Sequence, residues 1–225
     1  MAALAFGAQL RPRGWTVVVG CVALIGLLGA CSGPNVNYVK SEEIQGARAT
    51  AYFKLPERWA VYDEDEVIEQ QAPDLPDDQL EAVKATQWLF AFDADPSPSI
   101  EHVGNPSAHP TGFARVRMLT PDEADYSVED LQAEIFPLDT LEGSEGFELS
   151  HEESMKFPDG IEGKRFEFSL ETTEETLQAH QIAAYDAENR IVYVFVITCD
   201  SECFDRDGAV IDRVISSWTV EGSTQ

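Results

Sequence analysis

Ile191-Val192-Tyr193-Val194-Phe195-Val196-Ile197 is the stretch on which the fold turns. Both alternating sets of side chains are apolar, so as a strand it has no face to give to water. It is expected at the centre of a sheet that is covered on both sides.

The segments around it agree. Residues 177–185 read as a second strand, joined to the first by a turn at Asp186 to Asn189. Before them, Gly163-Lys164-Arg165-Phe166-Glu167-Phe168-Ser169-Leu170 alternates polar with apolar, as a half-buried strand does. Three consecutive strands with short turns predict an antiparallel meander. Beyond the central strand, residues 204–218 predict a helix: Val210, Ile211, Val214, Ile215 and Trp218 share one face, with Asp212 and Arg213 opposite. That face must pack on the sheet, and Gly208 weakens only its first turn.

Toward the N-terminus the pattern is less regular. Thr50-Ala51-Tyr52-Phe53-Lys54-Leu55-Pro56 reads as a strand closed by proline and is followed by Trp59, a core or rim aromatic. Gln87-Trp88-Leu89-Phe90-Ala91-Phe92 reads as a buried strand ended by Asp93, Pro96 and Pro98. In residues 113–119, Val116 and Met118 take one face of a strand, Arg115 and Arg117 the other. Residues 77–85 and 128–136 predict short helices, the second capped by Ser127 with Asp130 following. Phe157-Pro158-Asp159-Gly160 is a turn signal. The acidic runs 63–66 and 74–78 read as solvated loops, since they lack the central glycine of a calcium loop. The expected class is α+β: one domain over residues 50–221, a central antiparallel sheet flanked by helices, and a C-terminal helix packed on the sheet, with 222–225 as a tail.

The N-terminus is of another kind. Arg11 and Arg13 precede the uncharged run Trp15 to Ala30, which ends Leu28-Gly29-Ala30-Cys31. A basic start, an apolar stretch and small residues before a cut form the pattern of a secretory signal. The run is short for a span of about 20 apolar residues. Its end resembles the lipobox of bacterial lipoproteins, where cleavage precedes the cysteine. The resemblance implies a signal peptide over residues 1–30, a diacylglycerol thioether on Cys31, and a flexible tether over 31–49. A thiol suits the task because it alkylates to a stable thioether, and two acyl chains anchor where one holds only marginally. The expected location is the extracytoplasmic face of the cell membrane.

Composition narrows the partners. The 225 residues carry 15 Lys and Arg against 41 Asp and Glu, a net charge of −26, and loss of the signal's two arginines takes it to about −28. Such a field repels nucleic acid and anionic head groups, which excludes nucleic-acid binding and favours cationic or neutral partners. Of four cysteines, Cys21 leaves with the signal and Cys31 is the lipid site. Cys199 and Cys203 remain, close enough to bridge at a turn and expected as a disulfide in an oxidising compartment. The acids between them oppose a reactive dithiol, and no second ligand pair with zinc spacing accompanies them.

Arg115 and Arg117 on one strand face either neutralise surface carboxylates or form an anion patch. His102 and His109 have no metal-ligand spacing. Nucleophile-elbow, paired-histidine and phosphate-loop motifs are missing from the sequence. Ser150-His151 with Glu152 and Glu153 does not make a triad, because neighbours on a strand point to opposite faces. No catalytic residue, metal or cofactor is expected.

The strand ending in proline before Trp59, the late meander, and a closing helix ending Ser217-Trp218-Thr219-Val220 together resemble the PsbP-like fold. They are also similar to the small actinobacterial lipoproteins of the LpqN type over residues 50–220. That resemblance implies an accessory or binding role and carries over no site residue. The leading expectation is a lipid-anchored, non-catalytic binding or accessory protein of the envelope, acting on an envelope protein or an apolar ligand. Its alternatives are an acidic solute- or cation-binding lipoprotein and an unrecognised envelope hydrolase.

Overall fold

The computed structural model describes residues 35–42, 44, 49–171 and 175–222. In chain order the elements are β1 (Val36–Lys40), β2 (Thr50–Pro56), β3 (Ala60–Tyr62), α1 (Glu64–Gln71), α2 (Asp77–Thr86), β4 (Gln87–Asp93) and β5 (Thr111–Met118). They continue with α3 (Leu138–Leu141), β6 (Phe147–Lys156), β7 (Glu162–Glu171), β8 (Thr176–Asp186), β9 (Ile191–Asp200), α4 (Ser201–Ile215) and β10 (Thr219–Glu221).

β9 is the middle of a seven-stranded antiparallel sheet ordered β3-β4-β5-β9-β8-β7-β6. Its two apolar faces enter two separate cores. Ile191, Tyr193, Phe195, Ile197 and Cys199 face α4 and the smaller sheet β1-β2-β10, while Val192, Val194 and Val196 face Leu119 and Leu131. The meander β7-β8-β9 and the packing of the C-terminal helix on the sheet are as the periodicity predicted.

Phe53 of β2 is the hinge of the larger core, with ring centroids 5.2 Å from Phe195, 5.6 Å from Phe90 and 5.7 Å from Trp218. Ile211, Val214 and Ile215 bury the α4 face, each worth roughly 1.5–3 kcal/mol of apolar transfer. The turn signal at 157–160 is real: Asp159 and Gly160 take φ of 59° and 77°.

Several boundaries differ from expectation, each for a local reason. α4 begins at Ser201 because Asp200 Oδ1 accepts from the Cys203 N–H at 2.7 Å. It stops at Ile215, and Thr219–Glu221 leaves it to pair with β2. The helix expected over 128–136 is a 3-10 segment, Val128–Ala133, with Ser127 donating from N–H and Oγ to Asp130 Oδ2. The expected tether is partly folded: Val36–Lys40 pairs antiparallel with β2, so the domain starts ahead of residue 50. Cys31 and residues 32–34 lie outside the described residues.

The acidic run 63–66 is a helix start rather than a loop. Glu66 N–H donates to Asp63 Oδ1 at 3.1 Å, and Asp63 N–H donates to Glu66 Oε2 at 3.0 Å. This reciprocal capping box, with Val67 and Ile68 buried behind it, turns β3 into α1.

Candidate functional site

β3 covers only the end of β4, pairing Ala60 with Asp93, Val61 with Phe92 and Tyr62 with Ala91. The capping box then swings the chain away into α1, so among the described residues no strand pairs with Gln87 to Phe90 of β4 on that edge. Across the gap runs β1. The space between them is an open cleft of about 710 Å³, lined by Tyr38 and Lys40 on one side, and Val61, Trp88 and Phe90 on the other, with Glu64 among its walls.

The cleft has an aromatic side. Trp88 and Phe90 stack at 5.8 Å with an interplanar angle of 15°. Tyr38 stands 76% exposed at the mouth, with the Lys54 ammonium 5.1 Å over one face of its ring. Lys40 sits 5.6 Å over Tyr52.

It also has one anomalous carboxyl. Glu64 opens α1 and is half-buried; its Oε1 is shut off from solvent and has no hydrogen-bond partner among the described residues. Burial pushes the carboxyl up to about 7, with Lys84 opposing the rise, Asp65 and Glu42 adding to it, and the Leu89 backbone holding the charged form. Lys84 relieves Glu64 only in part, because its ammonium is paired with Asp65. A raised carboxyl in an aromatic-walled cleft is the usual mark of a binding site in an uncharacterised fold.

A second concavity of about 440 Å³ lies between the 94–110 loop and α4, where Arg58, His109 and Arg206 meet Asp95 and Asp207. Its charges are largely spent internally. Arg206 donates to Asp207 at 2.8 Å and to the Ala108 carbonyl, and His109 Nε2 lies 3.9 Å from Asp95.

The other residues singled out in the sequence are placed as follows. Cys199 and Cys203 form a disulfide with a Cα–Cα distance of 5.9 Å, buried where β9 meets α4. Arg115 and Arg117 share a face of β5, but the chain's own carboxylates occupy them. Glu134 receives Arg115 Nη2 at 2.8 Å and both Nε and Nη2 of Arg117, while Glu123 takes Arg117 Nη1 and Nη2 at 2.8 and 2.9 Å. This is neutralisation rather than a free anion patch. His102 Nδ1 is 2.7 Å from the fully buried Asp93, tying the 94–110 loop to β4. Ser150 Oγ donates to the Glu167 carbonyl, while His151 Nε2 lies 3.8 Å from Glu153 on the exposed face of β6. Among the described residues no cluster of three or more His, Cys, Asp or Glu is arranged to hold a metal ion.

Glu64 and the cleft were not anticipated. The capping box Asp63 to Glu66 ahead of Val67 and Ile68 was readable as a helix start, yet nothing local says that β1 and β4 face each other.

No protein-family model and no curated protein matches the chain. Among solved structures, it is similar to cyanobacterial PsbP (CyanoP) from Synechocystis, at 13% identity over 88% of this chain and 99% of that one, with a TM-score of 0.46. LpqN, involved in cell envelope biogenesis of Mycobacterium tuberculosis, is similar at 13% identity over 83% and 91%, TM-score 0.47. The Saccharomyces cerevisiae Ran-binding protein Mog1p is similar at 12% over 83% and 95%, TM-score 0.43. The resemblance is distant, and at this distance ligands and activities do not transfer.

Proposed function

We propose that the protein is a lipid-anchored, extracytoplasmic, non-catalytic binding protein of the cell envelope, held to the membrane through Cys31. The observation that carries this reading is the uncharged run Trp15 to Ala30 closing on Leu28-Gly29-Ala30-Cys31 behind two arginines. The Cys199–Cys203 disulfide supports export, because such bonds persist in oxidising compartments. The net charge of −26 supports a domain that stands off an anionic membrane surface. Among the described residues no helix is long and apolar enough to cross a membrane. Two acyl chains on Cys31 would suffice for stable attachment. The ligand seat is the cleft between β1 and β4.

Intact mass and membrane fractionation test the anchor. In a host with lipoprotein processing, the wild type should weigh as a diacylated chain from Cys31 onward and sediment with membranes. Cys31→Ser should take up no labelled fatty acid. An unmodified, shed wild-type protein overturns the anchor.

A further inference from the structure

The cleft carries more than its existence, because its charge and its walls point to one chemistry. Glu64 brings a carboxylate whose Oε1 finds no donor among the described residues, and the Lys84 ammonium beside it is shared with Asp65. An anion held this way is only partly compensated. The free edge of β4 offers no side-chain cation to supply one: Trp88, Leu89 and Phe90 follow one another there. Glu42, Asp63 and Asp65 line the cleft with Glu64, against the ammonium groups of Lys40 and Lys84, so acids outnumber cations there. Aromatic rings share the lining, with Trp88 and Phe90 stacked and Tyr38 exposed at the mouth. Aromatic faces attract cations through their quadrupole, most strongly where water is thinned. The whole-chain field draws cations toward the surface and repels anions. The volume of about 710 Å³ is that of a small-molecule site and exceeds what a bare metal ion needs.

We propose that the cleft between β1 and the free edge of β4 binds an organic cation with an apolar body, its ammonium paired with Glu64 and its body against Trp88, Phe90 and Tyr38. This rests on the cleft being the ligand seat and is independent of the lipid anchor.

The pairing needs Glu64 ionised. Its carboxyl, raised to about 7 by burial, faces Lys84 from α2, Asp65 from α1, Glu42 after β1 and the main chain of Leu89 from β4, with Lys40 of β1 and Asp63 before α1 in the same cleft. A cation in the cleft favours the charged form, so its binding should strengthen as pH rises through that range and level off above it.

The test is calorimetric titration of the full chain with phenethylamine, which stays protonated well above neutrality. Phenethyl alcohol and phenylacetate serve as the neutral and anionic counterparts of the same shape. The amine is expected to bind about tenfold or more tightly than the alcohol, with phenylacetate weakest. Glu64→Gln should abolish that preference and flatten the pH dependence while leaving the thermal melt cooperative. Tyr38→Ala, at an exposed position that does not threaten the core, should weaken the amine without flattening the pH profile.

Equal binding of amine and alcohol, or an amine affinity that Glu64→Gln leaves intact, overturns the cation assignment and leaves a binding cleft for neutral apolar ligands. No binding of any probe overturns both the assignment and the cleft as ligand seat. In either case the mass of the processed chain decides the anchor separately.

Discussion

Two carboxylates beside adjacent strands of one sheet meet burial in opposite ways. Glu134, over β5, is only 3% exposed, yet Arg115, Arg117 and Tyr126 all donate to it, the tyrosine hydroxyl at 2.7 Å. Glu64, at the edge of β4, is less buried but has an oxygen that no donor reaches among the described residues. The difference lies in the donors that arrive with each group rather than in depth. Where guanidinium groups arrive with the carboxylate, desolvation is offset; where they do not, the charged form is disfavoured. The first arrangement locks a 3-10 segment onto the sheet, and the second leaves a group prepared for a ligand.

The largest test of this contrast is Glu134→Ala. It removes the carboxylate from Arg115, leaves Arg117 with Glu123 alone, and should cost about 3 kcal/mol in urea unfolding, the lower end for breaking a buried ion pair. A loss below about 1 kcal/mol would place the network with ordinary surface pairs.

Tyr126→Phe probes one donor. The ring keeps its edge contact with Tyr185 at 5.5 Å, so only the hydroxyl is deleted. A loss of about 1.5 kcal/mol is expected, that of a hydrogen bond to a charged acceptor. Burial and the bond to Glu134 both push the Tyr126 hydroxyl up, so phenolate absorbance should not develop for it at the pH where exposed tyrosines titrate.

Glu64→Gln should act with the reverse sign. A carboxyl raised from 4.5 to about 7 binds more protons folded than unfolded, so its contribution falls as pH rises through that window. Glutamine resembles the protonated form. The variant should match the wild type below the window and exceed it above, by about 1 kcal/mol once the solvent-facing part is discounted. Melting curves across the window check this, and a variant less stable at alkaline pH would remove the argument that Glu64 is uncompensated.

Glu123→Gln is the smallest. Its carboxyl is lowered to about 2, chiefly by the side-chain bonds from Arg117, with Thr120 helping. That stability is present above 4.5 and lost as the pH falls toward about 2. The Glu123 side chain is 30% exposed and its bonds to Arg117 are solvent-screened in part, so the loss at neutral pH should stay under about 1 kcal/mol. Acid unfolding of variant and wild type should converge near the lower limit.

Legibility divides along the same line. The candidate seat was the least readable part of the chain. Asp63 and Glu66 announced a helix in a run that composition alone made look like solvated loop. Arg115 and Arg117 were visible as a pair, but their partner Glu134 comes from a separate segment, on the far side of a turn. A pattern of types along the chain identifies groups that seek partners without saying which partner is met.

What the sequence determined by itself are the local periodicities and spacings. The two-faced apolar run made β9 central, the alternation of Lys164 to Leu170 made β7 half-buried, and the face of Ile211, Val214 and Ile215 sent α4 onto the sheet. The short interval between Cys199 and Cys203 allowed their bridge. The long-range registers came from the assembled sheet instead. Thr111 to Met118 pairs with Ile191 to Thr198, β10 returns to β2, and β3 stops short on β4. The physical reason is that a strand's own residues specify which face is apolar, whereas the neighbour on each edge is chosen by the packing of the whole sheet. The open edge, the cleft beside it and the unpaired charge of Glu64 all follow from that choice.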